Sequence, residues 1–285
     1  MIVDAHQHFW SAPLDRYPWM TGKLAAIRRP FGPRDLAPLL KENHVDRTVV
    51  VQARMDLQET QELLALAAAN DFVAGVVGWV DLTDPGVAAT LGELRSGPNG
   101  SKLVGIRHQV HDEEDPNWLL RRDVQRGIAA VSEADLAYDF LVRTRELPAA
   151  YETASRFPRM RFVIDHMAKP PVRSGDLDAW KQGIAKMAEL RNVSCKLSGL
   201  VTEADWTNWT KEQLVPVITY VVERFGWGRC LFGSDWPVCL LAASYSQVVE
   251  LLRTAQRGVV RHPLDADAVL GPNAERVYRL ARARR

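Results

Sequence analysis

The sequence is poor in cysteine. Cys195, Cys230 and Cys239 are the only three in 285 residues, and they fall at no metal-ligand spacing. That excludes a cysteine-built zinc site. The odd count, with Met1 running directly into an apolar strand and no leader-like segment, sets the expectation of a reducing, cytoplasmic location. Net charge is also nearly absent. Lys and Arg number 36 against 35 Asp and Glu, leaving +1. Nothing in that balance draws the chain to nucleic acid or to an anionic membrane surface. No apolar run approaches the ~20 residues of a membrane helix. The basic run Arg279 to Arg285 is short and reads as a solvated helix end. There is no short-period repeat, linker or shift in composition. What remains is an ordinary globular balance of 47% hydrophobic and 25% charged residues.

What is present is alternation. Ile2-Val3 leads a first strand that Asp4-Ala5-His6-Gln7-His8 carries to its end. A helix is expected over Arg34 to Asn43, then a strand over Thr48 to Gln52 and a helix over Leu57 to Asn70. Strand three is read over Val73 to Leu82, and Asp84-Pro85 opens the helix after it. Strand four is Leu103 to Arg107, leaving through His108-Gln109, and Asn117 to Glu133 is helical. Strand five covers Ala137 to Val142, with a helix up to Phe157. Strand six covers Arg161 to His166, followed by a helix over Leu177 to Leu190. Strand seven is Val193 to Leu197, before a helix over Thr210 to Phe225 that Pro216 interrupts. Strand eight is Cys230 to Gly233, then a helix over Ala243 to Thr254. Eight strand–helix units predict an α/β fold, a single (β/α)8 TIM barrel occupying residues 1–285 as one domain. A long aromatic loop over residues 9–33 and a C-terminal helical cap over Asp265 to Ala281 decorate it.

The barrel locates a site. Alternation along a strand puts Asp4, His6 and His8 on one face. The eighth strand of a closed barrel lies beside the first, so Asp235 comes next to His6 and His8, and His166 opens onto the same mouth. Active sites in this fold lie at that rim. Arg107, Gln52, Asp81, His108, His111 and Trp236 also leave strands near the rim. Lys196, inside strand seven, calls for an internal ion pair, because an unpaired buried ammonium is costly. Lys169 is expected to be solvated, and His44 and His262 to be ordinary surface residues.

Several stretches resemble the amidohydrolase superfamily, in its amidohydrolase-2 branch of sugar-acid lactonases. They are DAHQHFW (Asp4 to Trp10), YPWM (Tyr17 to Met20), GWVDL (Gly78 to Leu82), GIRHQVHDE (Gly105 to Glu113) and VIDHMAKPP (Val163 to Pro171). CKLSGLVTEADW (Cys195 to Trp206), FGSDWPVC (Phe232 to Cys239) and GPNAERVYRL (Gly271 to Leu280) complete the set. The likeness is greatest to L-fuconolactonase and L-rhamnonolactonase types, and more distant to 2-pyrone-4,6-dicarboxylate lactonase.

The resemblance implies hydrolysis of a sugar lactone to its aldonic acid, with Asp235 as general base and His6, His8 and His166 as its catalytic neighbours. From their places at the strand exits, Arg107, Gln52, Asp81, His108 and Trp236 are expected to contact substrate, with a barrel-capping salt bridge as the alternative for Arg107 and rim hydrogen bonds within the protein for Gln52 and Asp81. Trp10, Trp19, Trp79 and Trp206 join Trp236 either as a sugar-stacking wall or as loop packing. Binuclear members of the superfamily carry a modified lysine after strand four and a histidine after strand five. Arg107 stands at the first place and Tyr138 to Val142 has no histidine, which argues against two metals. One divalent ion, zinc by its ligand types, is expected on His6, His8, His166 and Asp235, without being required for activity. The partner is a small-molecule lactone, and monomer or homo-oligomer both stay open. Two other readings share these residues: a metal-dependent decarboxylase of the same branch, and a barrel that only binds a ligand.

Overall fold

The computed structural model describes residues 1–259 and 266–281. Eight parallel strands form one sheet in sequence order: β1 (Val3–Gln7), β2 (Arg47–Val51), β3 (Val73–Gly78), β4 (Leu103–His108), β5 (Ala137–Phe140), β6 (Phe162–Ile164), β7 (Val193–Leu197) and β8 (Cys230–Phe232). Every strand residue is buried, as expected of a sheet covered on both faces. That is why the strands read as near-continuous Val, Ile and Leu runs. The ring closes at its rim, where the Asp235 N–H donates to the His6 carbonyl (2.8 Å) and the His8 N–H to the Trp236 carbonyl (2.7 Å). The architecture is a (β/α)8 barrel.

Two apolar layers hold it. Inside the barrel, Val3, Ala5, Val49, Val51, Val77 and Leu231 pack together. Outside, Val50, Val76, Ile106 and Phe232 meet the helices. The helices are α1 (Pro33–Glu42), α2 (Leu57–Ala68), α3 (Val87–Ser96), α4 (Arg122–Glu133), α5 (Leu147–Arg156), α6 (Asp178–Ala188), α7 (Leu200–Glu203), α8 (Lys211–Phe225), α9 (Tyr245–Val259) and α10 (Pro272–Tyr278). No described helix is long and apolar enough to cross a membrane.

Several expected boundaries move, each for a local reason. Strand three stops at Gly78, because the Thr60 hydroxyl takes both backbone groups of Trp79 at 2.8 Å and removes them from the ladder. The helix expected from Asn117 splits into a 3-10 turn, Trp118–Leu120, and α4. Pro216 does not interrupt its helix. Only one donor is lost there, while Leu214, Val217, Ile218 and Val221 bury the face around it. The C-terminal cap is two pieces, a 3-10 turn Asp267–Leu270 and α10, divided where Pro272 restricts the residue before it. Asp265, His262 and the end of the basic run lie outside the described residues.

The aromatic loop is ordered by its own packing. Trp10 and Phe31 exchange backbone hydrogen bonds at 3.0 Å. The Trp10 ring stands against Tyr17, Trp19 and Phe31 with centroids 6.2, 5.5 and 5.6 Å away.

Candidate active site

The register of β1 builds the site. Asp4 pairs with Thr48 but Gln7 with Val50, so three steps on β1 oppose two on β2. This bulge reverses the face of the strand. It corrects the expectation for Asp4, whose carboxylate turns away from the mouth and accepts from the Ser234 N–H (2.8 Å) and the Tyr245 hydroxyl (3.0 Å). Burial pushes the Asp4 carboxyl up to about 6. His6 and His8 stay together, with their Nε2 atoms 3.1 Å apart.

Asp235 and His166 arrive on unusual backbone. Asp235 has φ 56°, and His166 to Lys169 are four consecutive residues at φ 50–56°. Non-glycine residues rarely adopt this left-handed region, and such conformations cluster at functional sites. Gly199 makes the fit possible. A Cβ there would come within 2.5 Å of His166 Nδ1 and 3.1 Å of an Asp235 oxygen. Asp235 Oδ1 lies 3.4 Å from His8 Nε2, 3.8 Å from His6 Nε2 and 3.9 Å from His166 Nε2.

The electrostatics follow from burial. Desolvation lowers His6 and His166 well below the ordinary imidazole value, so both rings are neutral at neutral pH. Burial also works to raise Asp235, but the imidazoles beside it, His166 foremost and then His8, outweigh it and hold the carboxyl below its usual range. His8 is oriented from behind by its Nδ1, 2.7 Å from the Val51 carbonyl, and His166 by its Nδ1, 2.9 Å from Ser198 Oγ.

A cavity of about 160 Å³ opens over this group, lined by His8, Arg107, His166 and Asp235 together with Trp19, His111 and Lys169. Arg107 reaches it while donating to Asp165 Oδ2 (2.9 Å) and to Gln52 Oε1 (3.2 Å). Gln52 is fully buried behind Arg107. Three other sequence candidates stand elsewhere. Asp81 is exposed at the turn beyond the shortened β3 and accepts from Thr83. His108 spends both ring nitrogens on Trp79 and Glu113 and stacks on Trp118 at 4.0 Å. Trp236 is buried edge-on to Phe9 and Phe31 under the aromatic loop.

Lys169 corrects the solvated expectation. It is half-buried in the cavity wall and paired with Glu203 at 2.8 Å. Asp139, Asp165 and Ser198 were not singled out from sequence. Asp139 and Asp165 meet Lys196 at 2.6 and 2.9 Å, all three fully buried. Lys196 and Arg107, with His6 between them, hold Asp165 well below the carboxylate range against the upward push of burial. A signal existed: a charge inside a strand buried on both faces requires a partner, and Asp139 and Lys196 are two such charges.

The donor set also suits one ion. Ligand atoms on a tetrahedral zinc with bonds of about 2.1 Å stand roughly 3.4 Å apart. The His6, His8 and Asp235 atoms are separated by 3.1 to 3.8 Å.

The chain is similar to known proteins over nearly its whole length. The chain is 42% identical to an L-fucono-1,5-lactonase of Burkholderia ambifaria, over 98% of this chain and 96% of that one. It is 37% identical to an L-fucono-1,5-lactonase of Burkholderia multivorans, with the same coverage. Among solved structures, a Burkholderia multivorans amidohydrolase with bound zinc superposes with a TM-score of 0.93, at 36% identity, over 99% of this chain and all of that one. The Amidohydrolase family matches residues 3–280, nearly the whole barrel with its C-terminal cap, and the chain belongs to that family.

Proposed function

We propose that the protein hydrolyses a sugar lactone to the free aldonic acid, with L-fucono-1,5-lactone or a close relative as substrate. The observation that carries this is the convergence of His6, His8 and His166 on one oxygen of Asp235 at the floor of the cavity. Likeness to the lactonases from Burkholderia supports the substrate class. Asp235, ionised and buried, accepts a proton from water as the water attacks the ring carbonyl. The carbonyl oxygen gains negative charge, and the Arg107 guanidinium at the cavity wall is placed to receive it. The ring oxygen leaves with a proton returned from Asp235, and the product departs as the open acid. Trp19, Leu141 and Val238 give the sugar an apolar wall.

The charges at the mouth favour a neutral ring. Arg107 is neutralised by Asp165 and Lys169 by Glu203. A dicarboxylate calls for cations free to pair with it. A zinc ion would be held by His6, His8 and Asp235, with His166 near, and would supply Lewis-acid polarisation of the carbonyl.

The test is a pH-indicator assay over a panel of aldonolactones and 2-pyrone-4,6-dicarboxylate, with and without chelator. L-fucono-, L-galactono- or L-rhamnonolactone should turn over faster than the dicarboxylate. Faster dicarboxylate turnover defeats the assignment of substrate. Chelator-sensitive activity on an aromatic or unsaturated acid, with no lactone turnover, makes the protein a decarboxylase.

A further inference from the structure

Beneath the candidate metal site lies a buried cluster that the proposed hydrolysis does not use. Lys196, Asp139 and Asp165 are fully buried, and α10 adds Tyr278, whose hydroxyl donates to Asp139 Oδ2 at 2.7 Å. Two cations, Lys196 and Arg107, face two carboxylates, Asp139 and Asp165, so the cluster is balanced. Lys196 also reaches upward. Its Nζ forms a hydrogen bond to His6 Nδ1 at 3.1 Å. An ammonium only donates, so that nitrogen must accept.

The rest of the chain of bonds agrees. A carbonyl only accepts, so His8 Nδ1 carries the proton that goes to Val51 at 2.7 Å. His8 Nε2 is then a lone pair, and His6 Nε2, 3.1 Å away, carries the proton that fills it. Two neighbours dissent. Asp235 Oδ1 lies 3.4 Å from His8 Nε2 but makes no aligned hydrogen bond with it. Arg107 Nη1 lies 3.3 Å from His6 Nε2, the longest of the three contacts, and is already bonded to Asp165 at 2.9 Å. The opposite tautomer would set two lone pairs against each other between His6 and His8, and an N–H of His6 against the ammonium. Asp165 Oδ1 is 3.3 Å from His6 Nδ1 but makes no aligned hydrogen bond among the described residues.

We infer that Lys196 is a positioning residue that locks His6 with its proton on Nε2, and that this lock opposes metal binding at His6, His8 and Asp235. A metal on His6 Nε2 needs that atom's lone pair. The proton must leave Nε2 and appear on Nδ1, with no net change in protonation. There it must break the bond from Lys196 and turn to Asp165 Oδ1. Lys196 and Asp165 thus stabilise opposite tautomers of one ring, the first for the metal-free site and the second for the occupied one. The occupied half rests on the reading that this site takes an ion.

The primary test is ¹⁵N NMR of the imidazoles in metal-free wild-type protein. His6 should show Nδ1 unprotonated and Nε2 protonated, and His8 the reverse. A proton on His6 Nδ1 overturns the inference. Saturating zinc should move the His6 proton to Nδ1 and leave His8 unchanged. The second arm is zinc affinity, by competition with a chelating dye, for K196M/D139N. This variant removes one positive and one negative charge together, so the net charge beneath the site is unchanged. Zinc should bind about tenfold tighter than to wild type, the lower edge of outer-shell effects on metal sites. Unchanged or weaker binding overturns the inference. If wild type binds no zinc at all, the metal reading fails and the occupied half with it. The metal-free spectrum judges the lock on its own even then.

Discussion

At the scale of the residue, His6, His8, His166 and Asp235 were legible because a barrel forces strand ends to converge, whatever the loops do. Asp4 was not, because a single extra residue in β1 reverses the face and nothing in the local sequence marks the bulge. Lys169 was expected in solvent, His111 near the rim, and Trp19 either in a sugar-stacking wall or in loop packing, since their place in the cavity wall depends on loop paths. Asp235 is the residue whose loss should matter most. Asp235→Asn keeps the shape and removes the base, so turnover should fall about 10²–10⁴-fold with little change in KM. More than about a tenth of wild-type turnover in a folded variant rules out the base. The pH profile is a second check. The carboxyl is held below its usual value, so turnover corrected for spontaneous hydrolysis should stay level on acidification down to about pH 4. A midpoint near neutrality would point to a histidine instead.

At the scale of the element, every strand and its order were legible from apolar runs, and the ends were not. Strand three shows why: its exit is set by Thr60 on α2, a partner distant in sequence. The same helix carries Glu59, which closes the β2–α2 connection. Its Oε2 accepts the N–H groups of Ala53 and Arg54 at 2.9 and 2.7 Å. Ala53 in turn lines the cavity and accepts from the Trp19 indole at 2.8 Å. Burial raises the Glu59 carboxyl to about 7, against the two donated hydrogen bonds that lower it. A carboxyl raised on folding binds its proton more tightly in the native state. Its contribution is therefore complete below the unfolded value and is lost as pH rises to about 7. Between about pH 5 and pH 8 it should cost wild type up to about 3 kcal/mol. Glu59→Gln keeps the acceptor and cannot ionise. Urea unfolding of both proteins at those two pH values isolates the effect: the variant should lose less stability on going alkaline. An equal loss in both would mean that Glu59 is ionised throughout.

At the scale of the whole molecule, the barrel is a column with the reaction at one end and α10 closing the other. Ala274, Val277 and Tyr278 pack into the interior with Val3, Ala5 and Val49, so the last helix fills the floor of the barrel. Arg161 and Arg47 tie that end down through the carbonyls of Val277 (2.8 Å) and Ala281 (2.7 Å). Floor and mouth are joined by a run of polar contacts: Tyr278 to Asp139, Asp139 to Lys196, and Lys196 to His6. The sequence showed a C-terminal cap but not this role, because α10 meets β5 across well over a hundred residues of chain. Tyr278→Phe separates floor from mouth. The ring still fills its space, but a buried carboxylate loses one of its two donors. That should cost about 1.5–3 kcal/mol, the usual range for hydrogen bonds to charged groups. Lys196 keeps its bond to Asp139, so the mouth should keep its geometry and turnover should stay within about threefold, well short of the loss expected for a base. Urea unfolding and lactone turnover on the same preparation decide it. Unaltered stability would mean the Tyr278 hydroxyl is not a donor to Asp139. A collapse of turnover without loss of stability would place Tyr278 in the catalytic machinery and not beneath it.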